Sequence, residues 1–303
     1  MKILVTGSTG LVGTALVGDL KQAGHTVCRL VRPSSNTEAI RGSEGFDVRW
    51  NPATGELGAA AVGADAVVNL AGASIAEARW TAARKQLLRT SRVDTTRALV
   101  NALAKMAARP RVIVSASAIG YYGDRGDDLM NEASQPGSDF LSGICSEWES
   151  EAEKAQALGI RVVRARFGVI LAKAGGALPK MARPFRFGAG GRIGSGKQWM
   201  SWITLEDTVA ILRFALENGV VRGPINVVSP KAVRNAEFTA ALAAVLHRPA
   251  LFPAPAVALR LMLGEIADAL LLSSQRVVPA QLEKLGYSFL NPDLAAALTH
   301  LLT

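Results

Sequence analysis

Three glycines at three-residue intervals carry the clearest chemical signal in the sequence. They lie in Val5-Thr6-Gly7-Ser8-Thr9-Gly10-Leu11-Val12-Gly13, between a short apolar run and an amphipathic stretch. A strand turning into a helix needs glycine there for three reasons. The turn is tight, the backbone must approach a pyrophosphate, and the helix must pack closely on the strand. The helix start adds free N–H groups and the positive end of a dipole, which suit a phosphate. Gly7, Ser8, Thr9, Gly10, Leu11, Val12 and Gly13 are therefore the candidate cradle of a dinucleotide. The spacing is GxxGxxG, a variant of the commoner GxGxxG, and glycines in such a turn also serve purely structural ends. A place between strand and helix at the start of the chain favours the binding role.

The end of the next apolar run selects the dinucleotide. NAD sites place Asp or Glu there to accept the ribose 2′-hydroxyl. This chain reads Cys28-Arg29-Leu30-Val31-Arg32-Pro33-Ser34-Ser35, with no carboxylate. Arg32 is placed to meet a 2′-phosphate, with Ser34 or Ser35 as hydrogen-bond donors. The expected cofactor is NADP(H). The competing explanation is a solvated arginine at a strand end.

Other chemistries find little support. HExxH, GxSxG and metal-spaced cysteines are missing, and no metal site is expected. The two cysteines, Cys28 and Cys145, form no CxxC, so no disulfide framework is expected and the default compartment is the reducing cytoplasm. Gly191 to Lys197 spells GxxxxGK, but Gln198 follows where a phosphate-binding loop needs Ser or Thr for magnesium. That loop is read as shaping a substrate pocket, with Gln198, Trp199 and Trp202 as lining candidates. Glu132, on a loop, is a further candidate substrate contact, although loop carboxylates are common. Lys85, Arg89 and Arg92 share a helix face. A solvated face explains them, and contact with an anionic substrate is the alternative. A net charge of +9 favours anionic partners. The cations are scattered and carry no interleaved aromatics, so a phosphorylated cofactor is preferred to nucleic acid. No stretch is long and apolar enough to span a bilayer. The opening MKILVTG is too short an apolar run for a signal peptide.

The elements that must position these residues alternate. Strands are expected over 2–5, 26–31, 66–69, 111–115 and 160–166. Helices are expected over 11–23, within 80–106, and over 140–158. Such alternation implies α/β architecture with a doubly wound, Rossmann-type parallel sheet. The rhythm changes after residue 171. The reading is a dinucleotide-binding domain over 1–170, rejoined by a late strand near 223–229, and a smaller, mostly helical substrate lobe from 171–222 and 230–303.

Several segments together resemble a known family. TGxTGxxG, Asn69-Leu70-Ala71-Gly72, and Ser-x-Ser ahead of Tyr-Gly resemble an extended short-chain dehydrogenase/reductase. Ala78-Arg79-Trp80, residues 115–123, 190–202, 226–235 and 275–286 resemble its atypical, YfcH-like epimerase-family branch more closely. The resemblance implies an NADP(H) site and a C-terminal domain of unassigned role. It places Leu70, Ala71, Gly72, Ser115 and Ala116 at the cofactor, and the backbones of Gly168 and Val169 beside the nicotinamide carboxamide. Standard members use Ser, Tyr and a Lys four residues after the Tyr. The three tyrosines here, Tyr121, Tyr122 and Tyr287, are followed at that distance by Arg125, Gly126 and Asn291, and Asp139 and Gly143 occupy the usual positions of the pair. Ser117 matches the standard serine, and Tyr121 or Tyr122 is the candidate replacement acid. The expected function is an oxidoreductase or epimerase-like enzyme on an unidentified small molecule. A non-catalytic NADP(H)-binding sensor or scaffold is the alternative.

Overall fold

The computed structural model describes residues 1–31 and 46–303. Arg32 and Ser34, with Ser35, lie outside the described residues.

The first half alternates strand and helix. β1 (Lys2–Thr6) leads through the glycine turn into α1 (Leu11–Gln22), and β2 (Thr26–Val31), β3 (Phe46–Asn51), β4 (Glu56–Leu57) and β5 (Ala66–Asn69) follow. Next come α2 (Ala82–Thr90), α3 (Val93–Ala104), β6 (Val112–Ala118), β7 (Leu129–Met130), α4 (Phe140–Glu153) and β8 (Arg161–Phe167). Thr81 caps α2 by accepting from the Arg84 N–H, and the chain breaks at Ser91-Arg92 before α3 begins. The expected helix over 140–158 stops at Glu153, where α4 tightens into a 3₁₀ turn over Lys154–Leu158. Gly159, at φ 79°, ends that turn in the left-handed region that glycine adopts without strain.

The second half holds β9 (Val169–Leu171), α5 (Leu178–Arg186), β10 (Trp199–Met200), β11 (Trp202–Thr204), α6 (Leu205–Glu217), β12 (Gly223–Val227) and β13 (Val233–Arg234). It closes with α7 (Asn235–Leu246), α8 (Ala256–Leu263), a π-helical turn over Ala267–Leu272, β14 (Arg276–Val277), α9 (Ala280–Lys284) and α10 (Leu294–Leu302).

Eight strands form the main sheet in the order β4-β3-β2-β1-β5-β6-β8-β12. All pair parallel except β4, which runs antiparallel to β3. Ile3, Leu4 and Val5 are fully buried because both faces of the sheet are covered. Leu16 and Leu20 of α1 pack with Ile211, Leu212 and Ala215 of α6 on one face. Leu99 and Leu103 of α3 pack with Ala152 and Ala155 on the other. Each such leucine contributes roughly 1.5–3 kcal/mol by leaving water. A separate core joins α5, α7 and α10 through Leu178, Phe185, Phe238, Leu242, Leu298 and Leu301, with Trp202 at 0% exposure.

β1 lies between β2 and β5, so the chain crosses over to opposite sides from this central strand. At such a reversal the loops leaving the strand ends diverge and open a crevice. Thr6 and Asn69 close the paired ends of β1 and β5 there.

Candidate functional site

The crevice is drawn shut at its base by a chain of hydroxyls and one amide. The Thr6 hydroxyl donates to Asn69 Oδ1 at 2.7 Å and accepts from the N–H groups of Leu70 and Ala71. Asn69 Nδ2 donates to Thr96 Oγ1 at 2.8 Å and Ser115 Oγ at 3.2 Å. Leu70 and Ala71 are thereby held half-buried at the crevice edge, with Gly72 exposed. Ser115 spends its side chain on Asn69 and is 1% exposed, so only its backbone is near the crevice, as is that of buried Ala116.

The glycine turn meets this edge without room for a side chain. A Cβ on Gly7 would stand 2.5 Å from Leu70 O, and one on Gly13 would stand 2.2 Å from Gly7 O. Gly7 also has φ +64°. Gly10, which has no side chain, stands at the cap of α1, so the cap position makes no side-chain hydrogen bond to the first amides of the helix. Thr9 and Gly10 are exposed, Leu11 and Val12 half-buried, and Ser8 buried. An uncapped helix start behind a glycine cradle at the sheet's switch point suits the pyrophosphate of a dinucleotide.

Beside the cradle, β6, α4, β8 and β12 share a buried polar network. Ser117 donates to Glu149 Oε1 at 2.7 Å. Arg166 grips both oxygens of Glu149, with Nε to Oε1 at 2.7 Å and Nη2 to Oε2 at 2.8 Å. Its Nη1 also donates to the Tyr122 hydroxyl at 2.9 Å, and that hydroxyl donates to Asn226 Oδ1 at 2.7 Å. Burial disfavours the charge on Arg166, but the hydrogen bonds and charge of Glu149, followed by Tyr122, outweigh it and hold the pKa above its usual value. Burial also pushes Tyr122 up to about 12, against the opposing pull of Arg166.

Ser117 and Tyr122 are thus 2% and 0% exposed with engaged hydroxyls, away from the crevice surface. The physical reason is the buried Glu149–Arg166 pair, whose remaining polar capacity they satisfy. Tyr121 is different. It is half-buried, its ring lies 3.6 Å from the Arg166 guanidinium carbon, and it meets Tyr122 edge-on at 5.4 Å. Burial, followed by the charge of Glu149, pushes the Cys145 thiol up to about 12, so it stays protonated at neutral pH.

The remaining predicted positions disperse. The N–H groups of Gly168 and Val169 are spent on Val227 O at 3.1 Å and Ser201 O at 2.9 Å, leaving neither to donate to a carboxamide. Glu132 is buried and accepts from the Asn226 and Gln281 N–H groups with Oε1, while Oε2 has no partner among the described residues. It ties a loop to β12 and α9 from a buried position, which makes it a brace within the fold and not an exposed loop carboxylate open to substrate. Gln198 braces its loop by donating to Ile193 O and Leu271 O. Trp202 belongs to the second core, with its indole N–H on Lys231 O, so it lines no pocket. Trp199 is half-buried between the guanidinium groups of Arg234 and Arg276, each 4.5 Å from its ring. Asp139 caps α4 by accepting from the Ser142 N–H at 2.8 Å.

Sequence reading missed Glu149, the side chain of Arg166, and Asn226. One signal was available: Glu149 lies four residues after Cys145 and beside Trp148 on the buried side of α4, where an acid must find a cation.

The sequence pattern of the NAD dependent epimerase/dehydratase family matches residues 3–228. The chain belongs to that family. A domain of unknown function, DUF1731, matches residues 254–301. The chain is similar to epimerase family protein Mb2239 of Mycobacterium bovis, with 43% identity over 99% of this chain and 97% of that one. It is 38% identical to epimerase family protein YfhF of Bacillus subtilis over 100% of this chain and 98% of the relative. A crystal structure of human epimerase family protein SDR39U1, isoform 2, with NADPH superposes at a TM-score of 0.88, with 34% identity and 99% of both chains covered. Membership of this atypical branch of the short-chain dehydrogenases/reductases agrees with the sequence resemblance and with the Rossmann-type sheet. The family binds nicotinamide cofactors.

Proposed function

We propose that this protein is an NADP(H)-dependent oxidoreductase or epimerase-like enzyme acting on a small molecule, in the cytoplasm. The observation that carries the reading is the glycine cradle closed against the end of β5, with the start of α1 beside it uncapped by any side chain of its N-cap residue. The 2′-phosphate preference is supported by the missing acid after β2, by Arg32 and Ser34, and by NADPH in the human relative at 34% identity. Two buried, free cysteines accord with a reducing compartment.

When bound, the nicotinamide would supply hydride transfer. The chain's own residues would do the rest. Gly7 to Gly13 would hold the pyrophosphate, and Leu70 to Gly72 would flank the cofactor. In this reading Tyr121 is the proton donor, because the other two candidate hydroxyls are engaged in the core. Glu149 and Arg166 act as positioning residues that hold the floor under its ring. The reading assigns no Tyr-Lys pair, because no tyrosine is followed by a lysine four residues on; Asp139, at the expected tyrosine position, caps α4.

The engagement of Ser117 and Tyr122 favours a second reading, in which the protein binds NADP(H) as a sensor without turnover. Fluorescence titration tests the cofactor: NADPH is expected to bind at least tenfold more tightly than NADH, as a charge-assisted 2′-phosphate contact implies, with Arg32→Ala narrowing the gap. Equal wild-type affinities would overturn the 2′-phosphate assignment. Carbonyl compounds and sugar nucleotides should then be screened by NADPH absorbance and by epimer composition. On any substrate so found, Tyr121→Phe is expected to lower kcat on the order of 100-fold with cofactor affinity unchanged, the scale of general-acid catalysis. Full activity in Tyr121→Phe sinks its role as the donor.

A further inference from the structure

Two guanidinium groups converge on the loop that follows β5, and among the described residues no acid balances the more buried one. Arg92, at the break between α2 and α3, donates from Nη1 to Leu88 O at 3.0 Å and from Nη2 to Ala73 O at 2.9 Å. A Cβ placed on Gly72 would stand 3.1 Å from its guanidinium carbon. That carbon also lies 5.5 Å from the Trp148 ring centroid. Among the described residues no carboxylate pairs with Arg92. Burial is the largest influence on its pKa and lowers it, and the neighbouring charge of Arg84 acts in the same direction.

Arg84 donates from Nη2 to Ser74 O and reaches the exposed Glu77 carboxylate at 3.2 Å. Its Nε is buried and has no acceptor among the described residues. Adjacent carbonyls, Ala73 and Ser74, thus each hold one cation. A carbonyl offers only partial negative charge, and like charges brought together out of water repel strongly. Each guanidinium has five N–H donors, and Arg92 spends two of them on carbonyls. The spare donors suit the paired oxygens of a carboxylate or phosphate.

The position is at the sheet's C-terminal edge. Leu70 after β5, Ala116 in β6 and Phe167 at the end of β8 pack with Trp148 directly beneath. The cofactor's pyrophosphate already has the glycine turn at α1. A second cationic cluster therefore answers to a second anion.

We infer that Arg84 and Arg92 form an oxyanion subsite, and that the small molecule handled by this crevice carries a carboxylate or phosphate group. The inference rests on the enzyme reading for its substrate, while the binding it describes needs no turnover. The competing role is a brace, in which both arginines merely pin residues 72–74 through their carbonyls.

Trifluoroacetate serves as the probe, observed by fluorine NMR on the full chain with and without NADPH. Line broadening is expected with wild type and none with trifluoroethanol, its neutral counterpart. Arg92→Gln and Arg84→Gln are each expected to weaken trifluoroacetate binding about tenfold or more, as loss of a charge-assisted pair implies. Their NADPH affinities should stay close to wild type. Succinate and inorganic phosphate compete in separate titrations, and the tighter competitor names the source of the oxyanion. No broadening in wild type, or equal broadening in the variants, overturns the subsite and leaves the brace. A tenfold loss of NADPH affinity in Arg92→Gln also overturns it, by assigning the guanidinium to the cofactor. If Arg92→Gln fails to fold, Arg84→Gln alone decides. Loss of NADPH binding in wild type with trifluoroacetate binding intact defeats the cofactor reading and spares the subsite.

Discussion

Glu132 illustrates what burial does to one ionisable residue. Its Oε1 is well served by two backbone N–H groups, yet Oε2 sits without a partner among the described residues. Burial therefore raises its pKa above the ordinary 4.5, despite the opposing hydrogen bonds and the charge of Arg166. A raised carboxyl pKa means the native state holds its proton where the unfolded chain has released it. Stability contributed by the protonated form is accordingly lost as pH climbs through that window. Thermal melts of wild type and Glu132→Gln across pH 4.5 to neutrality test this. The variant is expected to gain on wild type as pH rises, because it has no proton to lose. Parallel curves would show that Glu132 is not the responsible group.

At the scale of elements, a strand and a helix are joined by charge as well as by apolar packing. Arg166 of β8 and Glu149 of α4 are 2% and 3% exposed and make a two-pronged bond. Removing one partner of such a pair leaves the other buried and uncompensated, which costs far more than replacing both by apolar groups. Arg166→Met is expected to lose roughly 3 kcal/mol of stability in urea unfolding, and Arg166→Met/Glu149→Met clearly less. Equal losses in the two proteins would mean that the network is not held by this pair. Ser117 and Tyr122 depend on it too, so the single variant should also expose these hydroxyls to solvent.

Across the whole molecule, the C-terminal segment is sewn back to the sheet by polar contacts. Asp207, 1% exposed in α6, accepts from the Leu290 N–H at 2.7 Å, the Asn291 N–H at 2.9 Å and the Thr204 hydroxyl at 2.9 Å. Arg79 reaches Leu261 O, and Lys85 pairs with Glu265, so the α2 region and the α8 region meet. β14 pairs with β7 beside the network. Asp207→Ala would orphan two backbone donors at about 1–3 kcal/mol apiece before relaxation. The expected result is a lower melting temperature and faster amide exchange at 290–291, with NADPH affinity preserved. Unchanged exchange there would show that α10 is held by its apolar contacts alone.

The parallel Rossmann-type sheet and the dinucleotide turn were legible in the linear chain because both are local patterns. Alternating apolar runs and amphipathic stretches specify each strand and helix within a dozen residues. Gly7 and Gly13 report a backbone that admits no Cβ. β3 and β4 were missed because Phe46–Asn51 mixes charged and aromatic residues, and its strand character comes from pairing with β2. Which polar side chains face the crevice was decided only in three dimensions. Trp202 and Gln198 lie four residues apart, yet one enters a core and the other braces the turn, because partners 29 and 73 residues away claim them. Ser117, Tyr122, Glu149 and Arg166 likewise meet through contacts that span 17 to 44 residues. A buried charge must be satisfied by whatever the fold brings beside it, and residue type alone does not encode that neighbour.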